Sequence, residues 1–321
     1  MITTRHEPQT TPTRADASAR RRATLVACAL LLAIAALLPG CARTDADRLE
    51  IVVTTNILGD LTRALAGDAA SVMVLMPPGA DPHQFAISAQ QAARIEQAAL
   101  LIHNGLGLEE GVQRHVSAAE QSGVATLSVG EQIDPIDYRA TDRPDPHFWT
   151  DPARTRKAVE LISSRLLELP GIDTAAVRSN TDRYLAELDA LDAWMTSSFA
   201  SIPPEQRRLV TNHHVFGYLA QRFGFEVIGA IVPSGTALAS PSASDLADLA
   251  TAVRTAGVRA VFADSSQPDR LARVLAEQAG LNVKVVSLHT ESLTEPGGGA
   301  ATYLEMMRTN TEAIVTGLTA P

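Results

Sequence analysis

The chain has 321 residues, long enough for one large core or for two α/β lobes of ordinary domain size. A formal net charge of −9, without any basic stripe, argues against nucleic acid as a partner. The two cysteines, Cys28 and Cys41, both lie near the start, so the rest of the chain can build neither an internal disulfide nor a thiolate metal site, and any metal there must be held by nitrogen and oxygen.

Three arginines, Arg20 to Arg22, precede an apolar run from Thr24 to Leu38. That run is short for a bilayer span and has the size of a signal-peptide hydrophobic region. Its ending, Leu38-Pro39-Gly40-Cys41, resembles a bacterial lipobox, although Pro39 replaces the usual small or β-branched residue. The expectation is a lipoprotein-type signal peptide over 1–40, lipidation at Cys41, a linker over 41–48, and a body held outside the cytoplasmic membrane by lipid chains.

From Leu49 onward strands and helices alternate. "LEIVVTT" reads as a strand, "ILGDLTRALAG" as a helix ending at Gly67, and "SVMVLM" as a second strand. "AQQAARIEQA" is helical, and "ALLIHNG" and "GVATLSV" are strands. Asp151 then caps a helix that has Pro152 at its first position. A long helix over 174–200 follows, with Val177, Tyr184, Leu188, Leu191 and Met195 drawing one apolar stripe, and Pro203-Pro204 stop it. The alternation then resumes from "RRLVT" to a last helix in "AATYLEMMRTNTEAIVTGL". The fold class expected is α/β: two lobes with mostly parallel sheets, over 49–173 and 201–321, joined by one backbone helix over 174–200. Such a rigid link predicts lobes that move little relative to each other.

The tripeptide Asp-Pro-His occurs twice, at Asp81-Pro82-His83 and Asp145-Pro146-His147, in a chain with 8 histidines. In parallel sheets ligands collect at the carboxyl ends of strands. His83 follows "SVMVLM", His147 sits in the loop before the Asp151 helix, His213 follows "RRLVT", and Glu291 follows "NVKVVSLHT". A cleft between the lobes could gather all four, and three imidazoles with one carboxylate complete a tetrahedral shell for a cation such as Zn²⁺. Asp81 and Asp145 read as turn formers or as partners of the ligands. Adjacent side chains leaving a strand diverge, so of His213 and His214 one is expected to ligate. Asp264, ending "VRAVFAD", is the alternative carboxylate. His103, His115 and His289 read as ordinary polar positions, Phe148 and Trp149 as packing groups, and Gly297 to Gly299 as a flexible loop. The chain lacks H-E-x-x-H, C-x-x-C, Walker A and G-x-S-x-G motifs.

"PPGADPHQFAIS", "NGLGLEEGV", "DPHFWTDP", "TNHHVFGYLAQRFGF" and "TESLTEPGGGAATYLEMMRTN" together resemble, in order and spacing, the zinc- and manganese-binding solute-binding proteins of ABC importers. The resemblance covers nearly all of 49–318. It implies a metal site in the interlobe cleft, with His83 and His147 as ligands from the first lobe. His213 is the third, chosen over His214 by its distance from Phe216. The fourth is Glu291, where the family usually has Asp, with Asp264 as the backup. The histidine-rich loop of many zinc members is missing.

The resemblance further implies a lipid-anchored monomer at the cell surface or in the periplasm, loaded with Zn²⁺ as cargo and working with a membrane permease and its ATPase, with a metallochaperone as a further possible partner. Nitrogen donors outnumber the carboxylate, which favours Zn²⁺ over Mn²⁺ or Fe²⁺. Four protein ligands leave no open position for hydrolytic water, so capture is expected rather than catalysis. A zinc-dependent extracellular hydrolase is the alternative of another class, with Glu291 or Asp264 as its base.

Overall fold

The computed structural model describes residues 49–138, 143–232, 241–279 and 283–319, which belong to one compact unit. The signal-like segment and Cys41 lie outside them. No helix among the described residues is long and apolar enough to cross a membrane.

The first lobe contains β1 (Glu50–Val53), α1 (Asn56–Ala66), β2 (Ser71–Val74), α2 (Ala89–Gln97), β3 (Leu100–His103), α3 (Gln113–Gln121), β4 (Thr126–Ser128) and α4 (Pro152–Leu167). After α5 (Thr174–Ala200) come β5 (Arg208–Thr211), α6 (Gly217–Phe223), β6 (Glu226–Ala230), α7 (Ala243–Ala256), β7 (Ala260–Asp264), α8 (Arg270–Gln278), β8 (Lys284–Leu288) and α9 (Tyr303–Thr319). The sheets share one topology, β2-β1-β3-β4 and β6-β5-β7-β8, and every pairing within them is parallel.

Apolar runs without alternation take the central places. β3 and β7 are buried along their whole length, whereas β2 at the sheet edge is half-buried throughout. Helix starts follow local chemistry. Asp151 accepts from the Ala153 amide at 2.8 Å, and Ser242 forms a capping box with Asp245.

Helix α5 buries Val177, Thr181, Tyr184, Leu188, Leu191, Met195 and Phe199, a stripe that extends the expected one by Thr181 and Phe199. At ~1.5 Å rise per residue its 27 residues span about 40 Å. One hydrophobic cluster runs from Ile51 and Leu61 through Leu188 and Met195 to Phe262 and Ile314. α5 is therefore not the sole tie between the halves. Helix α9 also crosses, with the Tyr303 amide donating to Asp60 at 2.8 Å and its hydroxyl to the Trp149 carbonyl at 2.9 Å.

Candidate metal centre

The first Asp-Pro-His loop leaves β2 over Pro77 and Pro78 and turns at Gly79, whose φ of 73° suits a residue without a Cβ. The Asp81 carboxylate accepts the His83 amide at 2.8 Å, closing an Asx turn around Pro82. Its other oxygen accepts from Gln84 at 2.8 Å and, across the lobes, from Gln267 at 2.9 Å.

The second loop repeats the turn: Asp145 Oδ1 accepts the His147 amide at 2.9 Å. The same oxygen also lies 2.7 Å from His147 Nδ1. A carboxylate there accepts, so Nδ1 carries the proton and Nε2 presents its lone pair to the site. Support comes from both lobes. Asn104 donates to the Pro146 carbonyl at 3.0 Å, and Tyr218 of α6 donates to the Asp145 carbonyl at 2.7 Å. The Asn104 loop is itself fixed by buried Glu109, which accepts from the Thr54 hydroxyl at 2.6 Å and the Asn104 amide at 2.7 Å.

Glu291 follows β8 in a loop gripped by the first lobe. Asn56 donates to Ser292 Oγ at 2.7 Å and accepts from the Leu293 amide at 3.0 Å, while Trp149 Nε1 donates to the Thr290 carbonyl at 2.8 Å. Asp264 is spent on the same loop. It accepts from the Thr290 amide at 3.1 Å and the Ser266 amide at 2.7 Å, and from both their hydroxyls.

Ligand atoms of His83, His147, His213 and Glu291 all lie within 4.8 Å of one another, and all four residues are buried. The three rings form a near-equilateral triangle, with centroid separations of 5.3, 5.5 and 5.6 Å. His83 Nε2 and His147 Nε2 stand 3.4 Å apart, and Glu291 Oε1 lies 2.9 Å from His213 Nε2 and 3.5 Å from His147 Nε2. A tetrahedron with bonds of about 2.0–2.1 Å has edges of about 3.3 Å, close to these separations. Two ring nitrogens this close need a proton or a cation between them. Glu291 Oε2 is buried with no hydrogen-bond partner, 3.7 Å from His83 Nε2.

Burial pushes the His83 imidazole down to about 4. Burial acts the same way on His213, but the adjacent Glu291 carboxylate outweighs it and the ring is raised above the ordinary histidine value. Burial alone would raise Glu291; the facing histidines, His213 first, instead hold it down at about 2.

Asp264 stands outside this group for the reason given: its oxygens hold the Glu291 loop. His214 points the other way from His213, its ring edge-on to Tyr138 at 6.4 Å and lining a separate cavity of about 350 Å³. His103 is buried at the end of β3, against its reading as an ordinary polar position, with Nε2 3.9 Å from Glu120. His289 pairs with Ser265 at 3.0 Å. Asn56, Glu109, Tyr218 and Gln267 had no role assigned from sequence. For Asn56 a signal existed in its place just after β1, at a carboxyl end where sites gather.

A covered two-lobe α/β scaffold that closes a nitrogen-rich shell from both sides defines a class of protein that captures a small cation. The chain belongs to the ZnuA family, zinc-uptake complex component A periplasmic, which it matches over residues 51–317. It is 32% identical to the zinc-binding protein TroA of Treponema pallidum over 286 residues, 85% of this chain and 90% of that one. It is 28% identical to the manganese-binding lipoprotein MntA of Halalkalibacterium halodurans over 295 residues, 90% and 97% of the two chains. With the iron-binding protein YfeA of Yersinia pestis it shares 26% identity over 297 residues, 92% and 94%. The solved structure of the periplasmic zinc-binding protein TroA superposes with a TM-score of 0.77 at 28% identity, covering 84% of this chain and 99% of that one.

The chain is thus a metal-binding component of an ABC importer, acting outside the cytoplasmic membrane, a role that implies a permease and an ATPase as partners. It is not an enzyme, and the hydrolase alternative falls with that membership.

Proposed function

We propose that His83, His147, His213 and Glu291 are the ligands of the transported ion, and that the ion is Zn²⁺. The convergence of four buried donor atoms within 4.8 Å, one of them on a carboxylate with an unpartnered buried oxygen, carries this reading. An unpaired buried carboxylate oxygen is costly in an apo protein and is compensated when a cation arrives. Three nitrogens to one carboxylate suit a borderline ion better than a hard one. Cargo enters with neutral imidazoles as ligands, in competition with protonation of His213, which the Glu291 carboxylate favours.

Mn²⁺ or Fe²⁺ is the second reading, and one observation favours it. The free Glu291 Oε2 would let the carboxylate bind through both oxygens and raise the coordination number. Elemental analysis of protein purified from its own membrane decides between them. About one equivalent of zinc is expected; manganese or iron in its place would overturn the assignment.

The proposal extends to the chain's organisation: a signal over 1–40, a lipidated Cys41, a linker over 41–48, lobes over 49–173 and 201–321 with the helix 174–200 between, and a monomeric body. Cys41→Ala should move the protein from the membrane fraction to the soluble one, and retention in the membrane would remove the anchor. A metallochaperone as loading partner has no feature of its own in the described residues to support it.

A further inference from the structure

A cavity of about 500 Å³ lies against the metal cluster, with His83, His213 and Glu291 among its lining. Asp81 from the first lobe and Gln267 from the second also line it. Their side chains meet at 2.9 Å, Gln267 Nε2 donating to Asp81 Oδ2. Contacts within the cluster apart, this is the hydrogen bond among the described residues that joins the lobes with both partners in the cavity wall. The other side-chain bonds between the lobes, through Asn56, Trp149, Tyr218 and Tyr303, involve residues that do not line it.

Those other contacts and the continuous core hold the halves together, so rigid-body opening would break many bonds at once. Gln267 sits in the short turn between β7 and α8, and Asp81 is half-exposed. Each can move without disturbing a ligand's own backbone bond. Asp81 keeps the His83 turn through Oδ1 while Oδ2 is freed.

We propose that Asp81 and Gln267 form a latch across the mouth of the cavity that sets the rate of metal exchange. The proposal rests on the four-ligand reading of the site. With the latch closed, as it is here, His83, His213 and Glu291 are only 4%, 3% and 2% exposed; with it open, the cavity would connect them more freely to water. A gate of this kind changes entry and exit together and leaves the equilibrium affinity nearly as it was, because it contributes similarly to the loaded and empty states.

The test is stopped-flow measurement of Zn²⁺ binding, and of its release to an excess of chelator, with circular dichroism to establish folding. Gln267→Ala should speed both entry and exit roughly tenfold, the order expected for losing one hydrogen bond to a charged group, with Kd shifting less than either rate. Gln267→Glu places a like charge against Asp81 and should be faster still. Asp81→Asn combined with Gln267→Ala should be less than additive with the single changes. Rates within twofold of the parent in Gln267→Ala, or a change in release matched by an equal change in Kd, would overturn the latch. His147→Ala serves as the control. If that variant still binds Zn²⁺ tightly, the ligand assignment itself fails; if it loses Zn²⁺ while the Gln267 variants exchange at parental rates, only the latch fails.

Discussion

The two Asp-Pro-His loops have the same three residues and the same backbone turn, yet they do different work. In both, the aspartate accepts the histidine amide, at 2.8 Å in one and 2.9 Å in the other, so the tripeptide fixes where the ring begins. Asp145 then spends the same oxygen on the His147 ring, and its loop is enclosed by Asn104, Tyr218 and Gly217. Asp81 instead turns its second oxygen to Gln84 and Gln267 at the cavity wall. His147 is wholly buried and is absent from the cavity lining, where His83 appears. A short motif sets local geometry; the distant residues packed against it decide whether it becomes the floor of a site or its mouth.

The largest expected effect treats the loops as equals. His83→Ala and His147→Ala should each lower Zn²⁺ affinity by roughly three orders of magnitude or more, since a shell of four ligands loses one. Chelator competition measures the loss, and the thermal midpoint of the metal-free protein shows that the fold survives. A variant that keeps stoichiometric tight binding would remove its loop from the site.

Protons should separate the cluster's members next. His213 is raised, so its ring holds a proton above the ordinary histidine pKa of about 6.5, and an entering cation must displace it. Affinity should therefore be highest in mildly alkaline solution and start to fall at a pH above about 6.5, by about tenfold per unit for one displaced proton. His83, at about 4, adds no competing proton until far lower pH. An affinity that stays level from pH 8 down to pH 5 would contradict this order.

Much of this scaffold was legible because its cues are local. Apolar runs such as "ALLIH" and "VRAVFAD" mark the buried central strands β3 and β7, and the stripe on 174–200 marks α5. Helix α3 escaped notice because it buries little, Val116 and Ala119, and its remaining residues are mainly polar. The four side chains of the cluster stood out by residue type and by position after strands or beside prolines. Their supports did not. Asn56 meets Ser292 and Gln267 meets Asp81 across separations of 236 and 186 residues, and nothing in an amide side chain announces a partner so remote. Asp264 misled for a related reason: a carboxylate at a strand end looks the same whether it binds a cation or holds a neighbouring loop.

The aspartates should part company where the histidines did not. Asp145→Ala removes an acceptor for both the backbone and the ring of His147, and a partner of that kind typically costs about 10–100-fold in metal affinity. Asp81→Ala loses the backbone turn and the latch, neither of which is a hydrogen bond to the His83 ring, so its equilibrium loss should be below about tenfold, with the larger change in exchange rate. Equal losses of affinity for the two variants would erase the distinction between floor and mouth.

Gly217 offers the finest probe of the floor. It is the first residue of α6, in ordinary helical backbone, where alanine would normally gain about 0.4–1 kcal/mol by restricting the unfolded chain. A Cβ there, however, would stand 2.6 Å from Asp145 Oδ2 and 3.2 Å from Ile136 Cδ1. The carboxylate must shift, and the His147 ring it orients must follow. Gly217→Ala should thus change overall stability by only about 1 kcal/mol, the gain in propensity offsetting part of the strain, while weakening Zn²⁺ binding several-fold. No such clash exists at the first loop, where a Cβ on Gly79 would meet nothing within 4 Å and the cost of a side chain lies in its φ of 73° instead. Affinity unchanged in Gly217→Ala, measured by the same competition assay, would mean that Asp145 can yield without moving the ring, and that the packing of α6 against the loop is not what aims His147.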